Sequence, residues 1–349
     1  MFEINKNKLS YIVFSVIVVS VCSFIANKWQ NSFVNKNDDY DMIRKYLLVD
    51  SPLYGHNRPK LWIHTKYEVN ARKWKDFYSR NTTDLNEPYI HLTIKTIIDH
   101  CAKDFNICLI DDQSFSKLLP SWDIDLSQMA EPMKSNFREL GLLELVYYYG
   151  GMVVPNSFLC LKNMKSFYET GISGKRPFVC ENINRTMNMV MDKHKMLFLP
   201  DLYLFGAKKN DPIILEFIEY LKQRNQSPHF TAETEFLGDS AHWCMDVIKQ
   251  QKMNLIGGEL VGVKTNSRSP ILLENLMEEE YLDLHSNAVG IYIPNDEILK
   301  RPKFEWFAVY PSEQLLSTRM IISKYLMASI VDANDEYKKD STIRSVVSL

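Results

Sequence analysis

Two groups of polar residues in this chain have the types that grip anions or move protons. The first spans the N-terminal half. His64 ends the apolar run Leu61-Trp62-Ile63, Asp111 and Asp112 follow the run 105–110, and Arg138 precedes a stretch that is nearly all apolar from Leu140 to Tyr149. A guanidinium can hold two phosphate oxygens at once, an imidazole titrates near neutral pH, and paired carboxylates accept from hydroxyls. The plainer readings stay open beside these: a structural histidine, a turn after a strand, and an ion pair of Arg138 with Glu139 or Glu144. The second group is Gly238-Asp239-Ser240-Ala241-His242-Trp243-Cys244. Asp239 and His242 could act as base or hydroxyl ligands, and Trp243 could stack on a sugar face. The alternative is a helix start capped by Asp239 or Ser240.

Between them lies Tyr147-Tyr148-Tyr149-Gly150-Gly151-Met152-Val153-Val154-Pro155-Asn156-Ser157. It reads as a helix end, a double-glycine turn and a short apolar strand. After that strand Asn156 and Ser157 offer neutral oxygens and Pro155 offers none, a poor set for a divalent cation, which prefers anionic oxygen ligands. An acidic pair does occur at Asp123-Ile124-Asp125, where helix capping in a solvated loop is the favoured reading. The usual glycine-rich, P-loop, zincin and nucleophile-elbow motifs are absent.

These residues need a scaffold. Strands are expected at 61–64, 105–110, 152–154, 158–161, 178–180 and 291–293. Helices are expected at 71–78, 92–104, from Glu131-Pro132 to Tyr149, from Asp211-Pro212 to about 222, and at 313–330. Leu255–Gly258 and Leu260–Val263 read as a hairpin. The alternation of strand and helix predicts an α/β fold with a mostly parallel central sheet. In such sheets ligands gather at the carboxyl ends of the strands, which is where His64, Asp111 and Asp112 fall. The 349 residues are 46% apolar, enough for a large core, and the formal charge of −2 gives no field for nucleic acid.

Residues 9–26 carry no charge and approach the length of a membrane span. Lys6 and Lys8 precede them, so the positive-inside bias predicts a cytosolic tail (1–8), an anchor (9–26), a polar stem (27–57), a body (58–330) across the membrane and a loose tail (331–349). A cleaved signal peptide is the rival reading. Single-pass type II topology would put the body in the Golgi or ER lumen or outside the cell. Outside the anchor there are five cysteines, so not all can pair internally; Cys101 with Cys108, or buried thiols, are equal expectations. Sequons begin at Asn81, Asn184 and Asn225.

Pro59-Lys60-Leu61-Trp62-Ile63-His64, Asp111-Asp112 and the run from Arg138 to Gly151 together resemble the glycosyltransferases with a DXD sugar-binding region, which include mannosyltransferases, sugar-transferring toxin domains and capsular polysaccharide synthesis proteins. Leu199-Pro200-Asp201 and Phe205–Lys209 extend the resemblance more loosely. It implies a GT-A-like nucleotide-diphospho-sugar transferase sandwich, a nucleotide-sugar donor and a glycan acceptor. It also implies donor-binding roles for His64, Asp111, Asp112, Arg138, Asn156 and Ser157, with Asp239, His242 and Trp243 serving catalysis and the acceptor. Mn²⁺ or Mg²⁺ would be the family's cofactor, but Pro155 and Ser157 stand where its two ligands belong. The resemblance is therefore to a degenerate member: either a transferase without the usual metal, or an inactive relative that binds glycans or proteins.

Overall fold

A computed structural model describes residues 58–65, 87–120, 122–184, 196–226, 233–278 and 281–330. The apolar run 9–26, the stem, the helix expected at 71–78 and the tail 331–349 lie outside them. Among the described residues no helix is long and apolar enough to cross a membrane.

The first strand, β1 (Lys60–His64), leads through α1 (Pro88–Cys101) to β2 (Asn106–Ile110). Proline in the first turn of α1 sits where its missing N–H does no harm. Helix α2 (Met133–Tyr149), β3 (Gly151–Val153), β4 (Phe158–Cys160), β5 (Phe178–Ile183) and β6 (Phe198–Ala207) follow. Then come α3 (Pro212–Gln226), α4 (Glu233–Lys249), β7 (Asn254–Ile256) and β8 (Gly290–Tyr292). Six strands form one sheet in the order β2-β1-β3-β6-β5-β7, while β4 and β8 form a separate antiparallel pair. The pairs β1–β2, β1–β3 and β5–β7 are parallel, and only β6 runs against its neighbours. The result is a mixed α/β fold with a mostly parallel central sheet. The carboxyl ends of β1, β2, β3, β5 and β7 share one edge with the amino end of β6.

Both faces of the sheet are covered, as parallel strands require. Trp62, Val153 and Phe205 join Leu140, Leu143 and Val146 of α2 and Phe217 of α3 in one core. Leu61 and Ile63, equally buried, point to the opposite face by strand alternation. Each large side chain buried in this way stabilises by about 1.5–3 kcal/mol.

Three expectations change. Leu255–Val263 is not a hairpin: β7 pairs in parallel with β5, and the chain turns back at Gly262, whose φ is +66°. The expected helix over 313–330 is two helices, Ser312–Ser317 and 321–330. Thr318 between them is extended, and its hydroxyl bonds Ser323. The ten-residue β6 was not expected as a strand, because Pro200 breaks the pattern of a central strand. It lies opposite Glu181, on the part of β6 that pairs with β5 but extends beyond β3.

The turn from α2 into β3 needs both its glycines. Gly150 has φ +71° and Gly151 φ +100°, and a Cβ on Gly151 would collide with the Lys60 carbonyl oxygen. Trp62 Nε1 donates to the Gly150 carbonyl at 3.0 Å and closes the turn against β1. Gly151→Ala is therefore expected to lower stability by at least about 2 kcal/mol, read as a drop in the urea midpoint at unchanged slope.

Candidate functional site

His64 ends β1, Asp112 lies two residues past β2, and Arg138 stands in the second turn of α2. The structure brings all three together at the carboxyl edge. Arg138 grips Asp112 with two hydrogen bonds, Nε to Oδ1 and Nη2 to Oδ2, each 2.7 Å. His64 Nε2 lies 2.9 Å from Asp112 Oδ1, and its ring stacks on Phe115 at 5.7 Å. Glu131 accepts from Arg138 Nη1 at 3.0 Å, and Lys134 lies 3.7 Å from Asp112 Oδ2. Burial alone would raise the Asp112 carboxyl. The hydrogen bonds from Arg138 and His64 outweigh it and hold the group well below the usual carboxylate range. Arg138 thus pairs with Asp112 and Glu131, and Glu144 meets Lys222 of α3 at 2.6 Å. Asp111 turns away from this group. Its Oδ1 accepts from the backbone N–H and hydroxyl of Ser114 and closes the turn into helix Ser114–Leu118.

The segment after β3 is held by its own partners. The Asn156 carbonyl accepts from Thr93 Oγ1 of α1 at 2.6 Å. Ser157 is buried, and its hydroxyl donates to the Ile293 carbonyl at 2.7 Å, just past β8. Ser157 is a latch between two strands, and Pro155 brings no side-chain ligand. The residues at 155–157 do not fit a divalent cation. Among the described residues no three His, Cys, Asp or Glu side chains group as a metal site.

The second group lies elsewhere. Asp239, His242 and Trp243 sit inside α4, which begins at Glu233, so neither Asp239 nor Ser240 caps it. Asp239 forms an ion pair with Arg224 of α3. His242 is exposed, and its Nδ1 donates to the Gly238 carbonyl one turn back at 2.6 Å. Trp243 stacks on Phe217 with 4.1 Å between ring centres, and Tyr220 lies 5.9 Å away. Asp239 and Trp243 thus fasten α4 to α3, and none of the three shares a contact with His64, Asp112 or Arg138. Asp125 caps the 3₁₀ turn Leu126–Gln128 by accepting from Ser127, as its position suggested. Asn184 is buried, and its side-chain amide donates to the Met196 carbonyl at 2.7 Å.

A second charged group, not expected from sequence, lies on the same edge. Glu181 of β5 pairs with Lys264 and accepts from the Gly258 N–H, and Glu259 lies 3.3 Å from the same lysine. The only available signal was an acid directly after the run Phe178-Val179-Cys180. Between α2, β6 and α4 lies a small cleft lined in part by Glu139, Asp201 and Ser240. Asp201 accepts there from Asn182 at 2.6 Å.

No family model and no curated protein matches the chain. Among solved structures it is similar to the PaToxG glycosyltransferase, at 13% identity and a TM-score of 0.32, over 56% of this chain and 72% of that one. It is also similar to the apo-form glycosyltransferase GlyE of Streptococcus pneumoniae TIGR4, at 8% identity and a TM-score of 0.31, over 58% of this chain and 46% of that one. Likeness at this level does not extend to activity, substrate or partners.

Two outcomes follow from the geometry. Asp112→Asn should cost about 2–4 kcal/mol at pH 7, because it breaks a bidentate pair around a guanidinium only 7% exposed. The Asp112 carboxyl is lowered in the fold, so its contribution is complete above the unfolded value near pH 4. It is lost as pH falls toward the lower folded value. The stability gap between wild type and variant should hold from pH 7 to 5 and narrow below pH 4 in urea titrations. Ser157→Ala should cost about 1 kcal/mol. Ser157→Asp should cost more, since it sets a buried carboxylate against the Ile293 carbonyl.

Proposed function

We propose that this chain is a membrane-anchored glycosyltransferase of degenerate type, moving a sugar from a nucleotide-sugar donor to a glycan without a metal held after β3. One observation carries the reading: His64, Asp112 and Arg138, far apart in sequence, converge at the carboxyl ends of adjacent parallel strands, where open α/β sheets bind ligands. Arg138 and Lys134 supply positive charge for a diphosphate, and His64 an imidazole beside them. The anchor at 9–26, a lumenal or extracytoplasmic body and the glycan acceptor belong to the same proposal. They rest on the uncharged N-terminal run and on the sequence resemblance. Asp239 and His242 are not part of it, since their contacts are those of helix packing.

A second reading, an inactive relative that binds glycans or proteins, is favoured by one feature. Arg138 is already gripped by Asp112 and Glu131, so a diphosphate would have to displace a carboxylate to reach it.

Thermal shift of the full chain against a panel of nucleotide sugars, with and without Mn²⁺, separates the two. The transferase reading expects one donor to stabilise without metal, by about 2.7 kcal/mol at 100 times its Kd. Arg138→Ala, if still folded, should abolish the shift. Silence from every donor on folded protein would leave the binding-module reading.

A further inference from the structure

Cys101 closes α1 and Cys160 closes β4. Both are fully buried, both are free thiols, and their Sγ atoms stand 3.9 Å apart. That is sulfur–sulfur contact. A disulfide bond of about 2.05 Å needs the two sulfurs to close by roughly 2 Å, which side-chain rotation at two residues can supply. The backbones around the pair are already fixed. Thr96 Oγ1 of α1 accepts from the Cys160 N–H at 3.0 Å, and Ser329 Oγ donates to the Cys160 carbonyl at 2.7 Å. His100, next to Cys101, meets the same Ser329 hydroxyl at 3.0 Å, and its carbonyl accepts from Asn163 at 2.8 Å. Cys160 Sγ also donates to the Lys162 carbonyl at 3.1 Å, and Cys108 Sγ donates to the Asn106 carbonyl at 3.5 Å.

We propose that Cys101 and Cys160 are a redox pair that closes to a disulfide in an oxidising compartment and staples α1 to β4. The oxidant is a small-molecule disulfide such as oxidised glutathione. One protein thiolate attacks it and expels a glutathione thiolate, and the second protein thiolate then displaces the other. The protein loses two electrons and two protons, and two reduced glutathione molecules leave. Burial and the neighbouring Cys101 push the Cys160 thiol up, so attack is slow in the closed fold. Closure therefore takes place during folding or local opening of α1. The staple acts on the candidate site, because β4 directly follows residues 155–157 and α1 holds the same segment through Thr93. The inference stands whether or not the chain transfers sugars.

The test is a peptide map of the full chain refolded in a glutathione redox buffer, with free thiols blocked and no reduction. The expected result is a Cys101–Cys160 linked peptide, with Cys22, Cys108, Cys180 and Cys244 alkylated. Reduction should lower the wild-type melting temperature by roughly 5 °C or more, and should not change that of Cys101→Ser. Alkylation of all six cysteines, or a link through Cys108, would overturn the proposal. The wild-type map decides the matter even if the variant fails to fold.

Discussion

The constraint that organises this molecule is the approach of Gly151 to the backbone of β1. No side chain fits between that residue and the Lys60 carbonyl, so β3 can enter the sheet only through glycine. The neighbouring Gly150 reverses the chain at the end of α2 and gives its carbonyl to Trp62 in the core. Once β3 is seated, β1 lies on one side of it and β6 on the other. Two halves of the sheet that share no other pairing are joined through a strand of three residues. The same turn fixes where α2 ends. The carboxyl edge therefore inherits its geometry from two glycines at the opposite edge.

On the carboxyl edge, the arrangement of charge tells more than its amount. Arg138 is among the most buried cations of the chain, and a buried cation must find anions or lose its charge. Asp112 supplies two oxygens and Glu131 one, while His64 leans on the same carboxylate. At the far end of the sheet Lys264 stands between Glu181 and Glu259 in the same way. Each half of the edge thus holds a cation surrounded by acids, and Tyr203, packed 4.5 Å from Tyr292, donates to the Glu181 backbone carbonyl beside the second. Ion pairs of this kind define position sharply even where their net contribution to stability is small.

The strands that carry local signals were legible in the sequence. β1 and β2 are apolar runs closed by polar residues, and Gly150-Gly151 marks its own turn. His64 and Asp112 could be placed on one edge from strand ends alone, although the grip of Arg138 on Asp112 depends on the depth at which α2 packs. Other features depended on tertiary context. β6 hides behind Pro200, tolerated because β6 outruns β3 there. The false hairpin at 255–263 arose from two apolar runs around glycines, yet β7 found its partner in β5, some 75 residues earlier in the chain. Asp239, His242 and Trp243 looked like a site because their types suit one. Helical spacing instead turns Trp243 onto Phe217 and Asp239 onto Arg224.

The neutral segment after β3 is held by hydrogen bonds of the protein itself. The backbone of Asn156 is tied to α1, and the hydroxyl of Ser157 to the chain just past β8. A carboxylate at position 157 would replace a buried hydrogen bond beside the β4–β8 pair with a buried charge. An anionic ligand at the β1–β2 end of this edge would be met by Arg138, Lys134 and His64. To free the guanidinium, it must offer oxygens at least as well placed as those of Asp112, whose two contacts of 2.7 Å already match the bidentate fork. A phosphate can meet that geometry and most neutral ligands cannot, so whatever binds here is selected by its capacity to exchange with a carboxylate.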